Sequence, residues 1–291
     1  MGDSRFRVEY DPISPETAEV AKKELRESPE VIKEGIEKLR ELILGEPKLN
    51  FKTDDDFLII FLRPCKYYPA SAFDLMKRIA DFRAKYSAVV GDLSADIEKA
   101  AMLNHNVVNV LVDRDQKGRR ILVANIGGAW DTKAISGDQI FRLFYLVHLA
   151  AILEPETQVR GAVVILDFDN LSMKQIAQLT PNFSLRLLSF IQDAMPLRLK
   201  EVHIVKQPYI FNIVWNVFKP FIREKLKSRL FFHGSKMESL HKHLDPEFLP
   251  KNYGGTKPEI NYSSANWYPV LKGIDDNICG KFYMVIKTLQ F

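Results

Sequence analysis

Ser14-Pro15-Glu16 and Ser28-Pro29-Glu30 each place a small hydroxyl ahead of a proline and an early acid. Helices begin this way, because the hydroxyl accepts a first-turn N–H and the proline has none to leave unpaired. Leu39, Leu42 and Ile43 continue the second helix as an apolar stripe. Thr53-Asp54-Asp55-Asp56 predicts a third helix through Phe57, Ile60 and Phe61, stopped by Pro64. Pro69 opens a fourth through Phe73, Met76, Ile79, Ala80 and Phe82. Residues 1–90 therefore read as a small all-helical domain. After Gly91 the period changes. Val107 to Val112 and Ile121 to Ile126 flank a polar turn and predict a hairpin; Ala162 to Phe168, Val202 to Val205 and Leu230 to Phe232 predict further strands. Between them, helices are predicted over Asp138 to Leu153, Met173 to Ala177, Phe183 to Asp193, and Tyr209 to Leu226. Strands alternating with helices imply an α/β domain with a mixed, largely parallel sheet over residues 91–256. Residues 257–291, rich in Pro, Asn and Gly, read as a tail packed back on the body.

Composition narrows the class without naming a function. The 291 residues are 46% hydrophobic and 27% charged, which excludes a disordered chain, and a chain this long buries about three quarters of its unfolded surface. A net charge of +4 argues against a nucleic-acid partner. Cys65 and Cys279 are far apart and have no metal-ligand spacing, which fits a reducing cytoplasm and no metal site. The first eleven residues lack the apolar run of a signal peptide, and Phe6 stands where a myristoylation signal has Ser or Thr. Leu143 to Leu153, the longest strongly apolar run, is interrupted by His148 and falls short of the roughly 18 residues of a membrane span. Any membrane is met from outside.

Catalytic signatures are missing. The sequence has no GxxxxGK[ST], GxGxxG after a strand, GxSxG or HExxH. Gly127-Gly128 reads as a turn, His241 and His243 as surface polarity, and Asp167, Asp169 and Asn170 as a strand-end turn.

Two other features stand out. Phe141, Leu143, Phe144, Leu146, Val147, Leu149 and Ile152 cover nearly the whole helical wheel, and Leu185, Leu187, Leu188, Phe190 and Ile191 do much the same. Such helices are either core or the wall of an apolar pocket, with His148 or Tyr145 as its polar anchor. Phe211, Val214, Trp215, Phe218 and Ile222 form a stripe that Ile210, Ile213, Val217 and Phe221 widen. That helix is either fully buried or closes a pocket on one side and touches lipid on the other. Charge is uneven around it. Pro196 to Arg229 holds eight basic residues against Glu201 and Glu224, a local surplus of +6, which leaves the rest of the chain at −2. Arg198 and Lys200 point one way if extended, and Lys225 and Arg229 share a face if helical, so two cation pairs can converge on a polyanion.

Ordered short motifs then point to a family. Asp56-Phe57-Leu58, Phe61-Leu62-Arg63, Gly118-Arg119-Arg120 and Gly128-Ala129-Trp130-Asp131 are followed by Thr180-Pro181, Gln192-Asp193 and Val202-His203-Ile204-Val205. Lys219-Pro220-Phe221, His233-Gly234, Leu249-Pro250 and Tyr253-Gly254-Gly255 complete the series. In order and spacing the chain resembles the CRAL-TRIO lipid-binding family, most nearly its tocopherol- and retinaldehyde-carrying members. The resemblance implies a helical N-terminal domain, then a sheet flooring an apolar cavity closed by a mobile lid, here Lys206 to Arg229. It implies a tocopherol-like or retinoid-like bound lipid, no other cofactor and no catalysis. It assigns a phosphoinositide-binding cleft to Arg198, Lys200, Lys225 and Arg229. It places Phe141, Phe144, Tyr145, His148, Leu166, Leu179, Leu187, Phe190, Ile191, Leu197 and Val202 around the ligand. Phe144 and His148 stand where the tocopherol carrier has small hydroxyl residues, which shrinks and re-polarises that end. The expectation is a cytoplasmic lipid-transfer protein, transiently peripheral to phosphoinositide membranes; the alternative is a phosphoinositide sensor without exchangeable cargo.

Overall fold

The computed structural model describes residues 7–46, 49, 51–259 and 267–274. Four helices come first: α1 (Pro15–Leu25), α2 (Pro29–Leu44), α3 (Asp55–Leu62) and α4 (Pro69–Lys85). Their starts are those the capping residues predict. The oxygens of Ser14, Ser28 and Asp54 accept the amide hydrogens of Thr17, Val31 and Phe57, and prolines occupy the first turns of α1, α2 and α4. Two short helices, α5 (Ser87–Val90) and α6 (Lys99–Asn104), lead into β1 (Val108–Val110) and β2 (Arg120–Asn125). Then follow α7 (Gly137–Ala151), α8 (Pro155–Arg160), β3 (Ala162–Asp167), α9 (Met173–Gln178), α10 (Pro181–Asp193) and β4 (Leu199–Val205). The described body continues with α11 (Phe211–Phe218), α12 (Glu224–Lys227), β5 (Leu230–Gly234) and α13 (Met237–His241).

The five strands lie in the order β1 to β5, with β1 antiparallel to β2 and the remaining pairs parallel. Register aligns Leu122 with Val164, Val164 with Val202, and Val202 with Leu230; the adjacent row runs Val123, Ile165, His203, Phe231. Because strand side chains alternate, these rows face opposite ways. On the odd-numbered face Ile121, Val123, Val163, Ile165 and Val205 are sealed against Leu240, Leu244, Leu249 and Tyr253 into a fully buried cluster, while Phe231 of β5 is half-buried. On the other face Leu122, Val164 and Leu166 are only half-buried, although helices cover them: they border empty space.

The predicted helix from Tyr209 to Leu226 is broken in two. After α11 the chain makes a 3₁₀ turn at Lys219–Phe221 and is extended at Ile222 and Arg223 before α12. Pro220 is the cause, since it has no N–H for the carbonyl four residues back and its ring collides with that carbonyl. Arg229 therefore lies beyond the end of α12 at Lys227, and the shared helix face expected for Lys225 and Arg229 does not form.

The strand-end turns also have clear physical causes. Asp167 accepts the Asp169 amide, and Asn170 turns the chain in a left-handed conformation. A Cβ on Gly127 would lie 1.9 Å from the Asp169 carbonyl oxygen, so only glycine admits that approach. Of the predicted tail, 260–266 and 275–291 fall outside the described residues; 268–274 is helical, with Trp267, Leu271 and Ile274 buried in the main core.

Candidate functional site

Two apolar cavities lie between the half-buried face of the sheet and the helices that cross it. The first encloses about 140 Å³. Its floor is Leu122, Val164, Leu166 and Val202; α7 contributes Phe144, Val147 and His148, and α10 contributes Leu187, Phe190 and Ile191, with Leu197 at the rim. The second encloses about 120 Å³ between the sheet, α10 and α11, and takes in Leu179. Phe211, Val214, Trp215, Phe218 and Ile222 all line it, so the predicted lid stripe forms its outer wall. Five side chains, Phe144, Leu166, Leu187, Ile191 and Val202, border both voids and form the partition between two lobes.

Two expected pocket residues sit elsewhere. Phe141 is fully buried with its ring 6.1 Å from Phe82 and 5.8 Å from Phe190. Tyr145 stacks on Phe82 and borders only a void of about 20 Å³. On α7 these residues are one turn apart and face α4, while Phe144 and Val147 face the sheet. An all-round apolar helix is thus both core and cavity wall.

His148 is the unpaired polar group of the first lobe. It is fully enclosed, and neither ring nitrogen has a hydrogen-bond partner among the described residues. Burial pulls its pKa down to about 3, so the imidazole is neutral at physiological pH and offers one donor and one acceptor. The same lobe is also bordered by Arg120 and Glu154, bonded at 2.5 Å. Glu154 also accepts from Arg114 and Thr157, so its buried charge is paired, as a buried carboxylate requires.

The segment predicted as a lid is not fully buried. Phe211 and Val214 turn inward, whereas Tyr209 is 91% exposed, Ile213 44% and Phe221 37%. At its root, Lys206 is left-handed and its ammonium lies 3.0 Å from Asp167.

Three of the four expected cations converge. Arg198 and Lys200 both reach Glu24 of α1, at 2.5 and 3.0 Å. Arg229 donates to the Leu199 carbonyl. Burial and the facing Arg198 both lower the Arg229 pKa; burial and Arg198 do the same to Lys200. Burial opposes it, yet the bonds from Arg198 and Lys200 hold the Glu24 carboxyl below its ordinary range. Lys225 is exposed on α12, and its field reaches Cys65, whose thiol burial pushes up to about 11. Sequence reasoning missed Glu24, which lies 174 residues before Arg198 and carries no local signal. It also missed Val8, Met195 and Trp267 in the first lobe. His241 and His243 point apart as expected: His241 meets the Tyr253 carbonyl at 2.8 Å. His243, expected from sequence to face solvent, instead packs against His203 and Phe231.

Among the described residues no helix is long and apolar enough to cross a membrane. Residues 104–255 match the CRAL/TRIO domain model. Clavesin-1 of Pongo abelii is 35% identical over 266 residues, covering 90% of this chain and 74% of its own. Clavesin-2 of Homo sapiens is 34% identical over 257 residues, covering 88% and 78%. Among solved structures, that of Sfh5 matches with a TM-score of 0.47 at 16% identity, covering 68% of this chain and 72% of its own. With more than half its residues matched by the family model and relatives aligned along most of their length, this chain belongs to the CRAL/TRIO family, which binds lipophilic molecules and transfers them.

Proposed function

We propose that this protein carries one hydrophobic molecule in the two-lobed cavity and exchanges it at phosphoinositide-bearing membranes when the lid opens. The observation that carries this reading is the lid segment: one face of α11 walls an apolar void, while Ile213 on its other face, Tyr209 just before the helix and Phe221 in the turn after it are offered to solvent. A segment that exposes apolar side chains, here beside Asn212 and Asn216, while others wall a void gains from burial in either position, against the cavity or against lipid. The cargo is a tocopherol-sized or retinoid-sized lipid with one hydroxyl or carbonyl group, which His148 engages in a lobe whose other polar border is the mutually paired Arg120 and Glu154. Phe144 is the side chain that must move for a single molecule to occupy both lobes.

Arg198, Lys200 and Arg229 form the head-group site, with Lys225 as an exposed auxiliary cation. Glu24 occupies part of that site in the closed form, so a phosphorylated head group competes with a tethered carboxylate. Head-group binding favours opening only through its higher affinity for the open state. No step in this cycle is catalytic.

The test is transfer of a fluorescent retinoid or tocopherol analogue between vesicles with and without a phosphoinositide. Wild type should transfer faster to phosphoinositide vesicles, and Arg198→Ala with Arg229→Ala should remove that acceleration while cargo binding persists. Native mass spectrometry of purified protein should show one bound lipid. Empty protein that neither binds nor transfers either analogue overturns the carrier reading; unchanged acceleration in the double variant overturns the head-group assignment.

A further inference from the structure

On the sheet face opposite the cavities, Glu201 and His203 of β4 meet His243, which follows α13. A carboxylate oxygen and two imidazole nitrogens from these residues lie within 4.8 Å of one another. Two-residue spacing on a strand sets Glu201 and His203 on one face. His203 is fully buried, whereas Glu201 and His243 are half-buried, so the cluster is open on one side.

Behind it runs a hydrogen-bonded chain. His203 Nδ1 is 3.0 Å from His233 Nε2, and His233 Nδ1 is 2.8 Å from the Ser239 hydroxyl. On the other side, His203 Nε2 is 3.3 Å from Glu201 Oε2. Two proton arrangements satisfy this chain. In one, Ser239 donates to His233, His233 donates to His203, and His203 Nε2–H donates to Glu201. In the other every proton is reversed: His203 Nδ1–H donates to His233, His233 Nδ1–H donates to Ser239, and the His203 Nε2 lone pair faces the carboxylate. The second leaves two electron-rich atoms in contact and calls for a cation between them. It is also the arrangement that metal-binding histidines use, the remote nitrogen being held by a hydrogen bond.

We propose that Glu201, His203 and His243 bind a divalent transition-metal ion of the zinc class, with solvent as the remaining ligand, and that binding reverses the His203–His233–Ser239 chain. Tetrahedral metal–ligand bonds of about 2.0–2.2 Å set ligand atoms about 3.3–3.6 Å apart, so from a separation of up to 4.8 Å the ring of His243 must close by at most about 1.5 Å. Its partly exposed position beside Phe231 leaves it room to do so. Arg119 lies 3.0 Å from Glu201, but its charge is shared with Asp115, 2.5 Å from its Nε. The site would pin β4 to the segment after α13, independently of any cargo.

Untagged full-length protein titrated with zinc chloride by calorimetry tests this, with cobalt(II) absorption as the readout of coordination. The expected result is one ion per chain and a tetrahedral cobalt spectrum. His243→Ala and Glu201→Gln, both at the open side, should each weaken binding at least tenfold with unchanged circular dichroism. Ser239→Ala, which removes only the end of the chain, should weaken it less. Nitrogen-15 shifts should move His203 from the Nε2–H to the Nδ1–H tautomer on zinc addition. No zinc binding by the wild type, or equal binding by His243→Ala and Glu201→Gln, overturns the assignment.

Discussion

Replacing His148 by leucine should stabilise the lipid-free protein while weakening its grip on a hydroxyl-bearing cargo. The ring is enclosed and both its nitrogens lack partners among the described residues. An unsatisfied buried polar group costs about 1–3 kcal/mol, and a leucine of comparable size carries no such group. A pH dependence sharpens the expectation. The unfolded chain takes up a proton near pH 6.5 that the folded chain refuses until about pH 3. Stability is therefore lost as pH falls through that window, by up to about 1.4 kcal/mol per pH unit. Between pH 6.5 and 4.5 this amounts to about 2–3 kcal/mol, present in wild type and absent from His148→Leu. His233, whose pKa burial lowers to about 4, contributes a similar slope to both proteins and cancels in the difference. Urea unfolding of delipidated wild type and variant at pH 7 and 4.5 measures it. The variant should be the more stable at both, with the gap wider at 4.5. A pH-independent gap, or a less stable variant at pH 7, would refute the picture of a neutral, unpaired imidazole. Affinity for an alcohol-bearing lipid should fall about threefold to tenfold, the weight of one neutral hydrogen bond.

Glu24→Gln should tighten binding to phosphoinositide vesicles about twofold to fivefold, the range of a partly exposed ion pair, read by sedimentation; no change would show that Glu24 does not compete there. Phe144→Ala should join the two lobes, cost at most about 3 kcal/mol because the ring already borders empty space, and shift the lipids retained in native mass spectrometry toward longer ones. Trp215, packed 5.0 Å from Phe232, should change its emission when the protein meets phosphoinositide vesicles, and a Trp215→Phe control should lose that signal. Gly127→Ala should lower stability by on the order of 3 kcal/mol in a thermal melt, because its Cβ would strike the Asp169 carbonyl.

Features governed by neighbours in the chain were legible in the sequence. Ser14, Ser28 and Asp54 cap helices by local hydrogen bonds, and the apolar runs of β3 and β4 read as strands because both faces of a parallel sheet are covered. The helix predicted over Tyr209 to Leu226 runs too far because its apolar periodicity continues across Pro220, where the missing N–H breaks it. The resemblance sets Phe141 and Tyr145 around the ligand, and periodicity cannot separate them from true cavity residues, because it gives a helix's apolar arc without saying which part meets a void and which meets α4. The cation site was legible as charge, but Glu24 was not, since nothing near residue 24 anticipates Arg198. For the same reason His203 and His243, forty residues apart, look unrelated until α13 folds across the outer face of the sheet.

The two faces of the sheet divide the work of the domain. The side facing α13 is filled and holds the fold together, which allows the other side to remain partly hollow. Enclosed emptiness of the size of these two lobes forfeits several kcal/mol at about 24 cal/mol per Å³. That is a large share of the about 5–15 kcal/mol by which proteins are stable. A fitted lipid returns much of it, so loaded and empty molecules should differ widely in how often they open to a protease. On the proposed function, the lifetime of the protein should then track its cargo supply, with empty molecules cut faster than loaded ones.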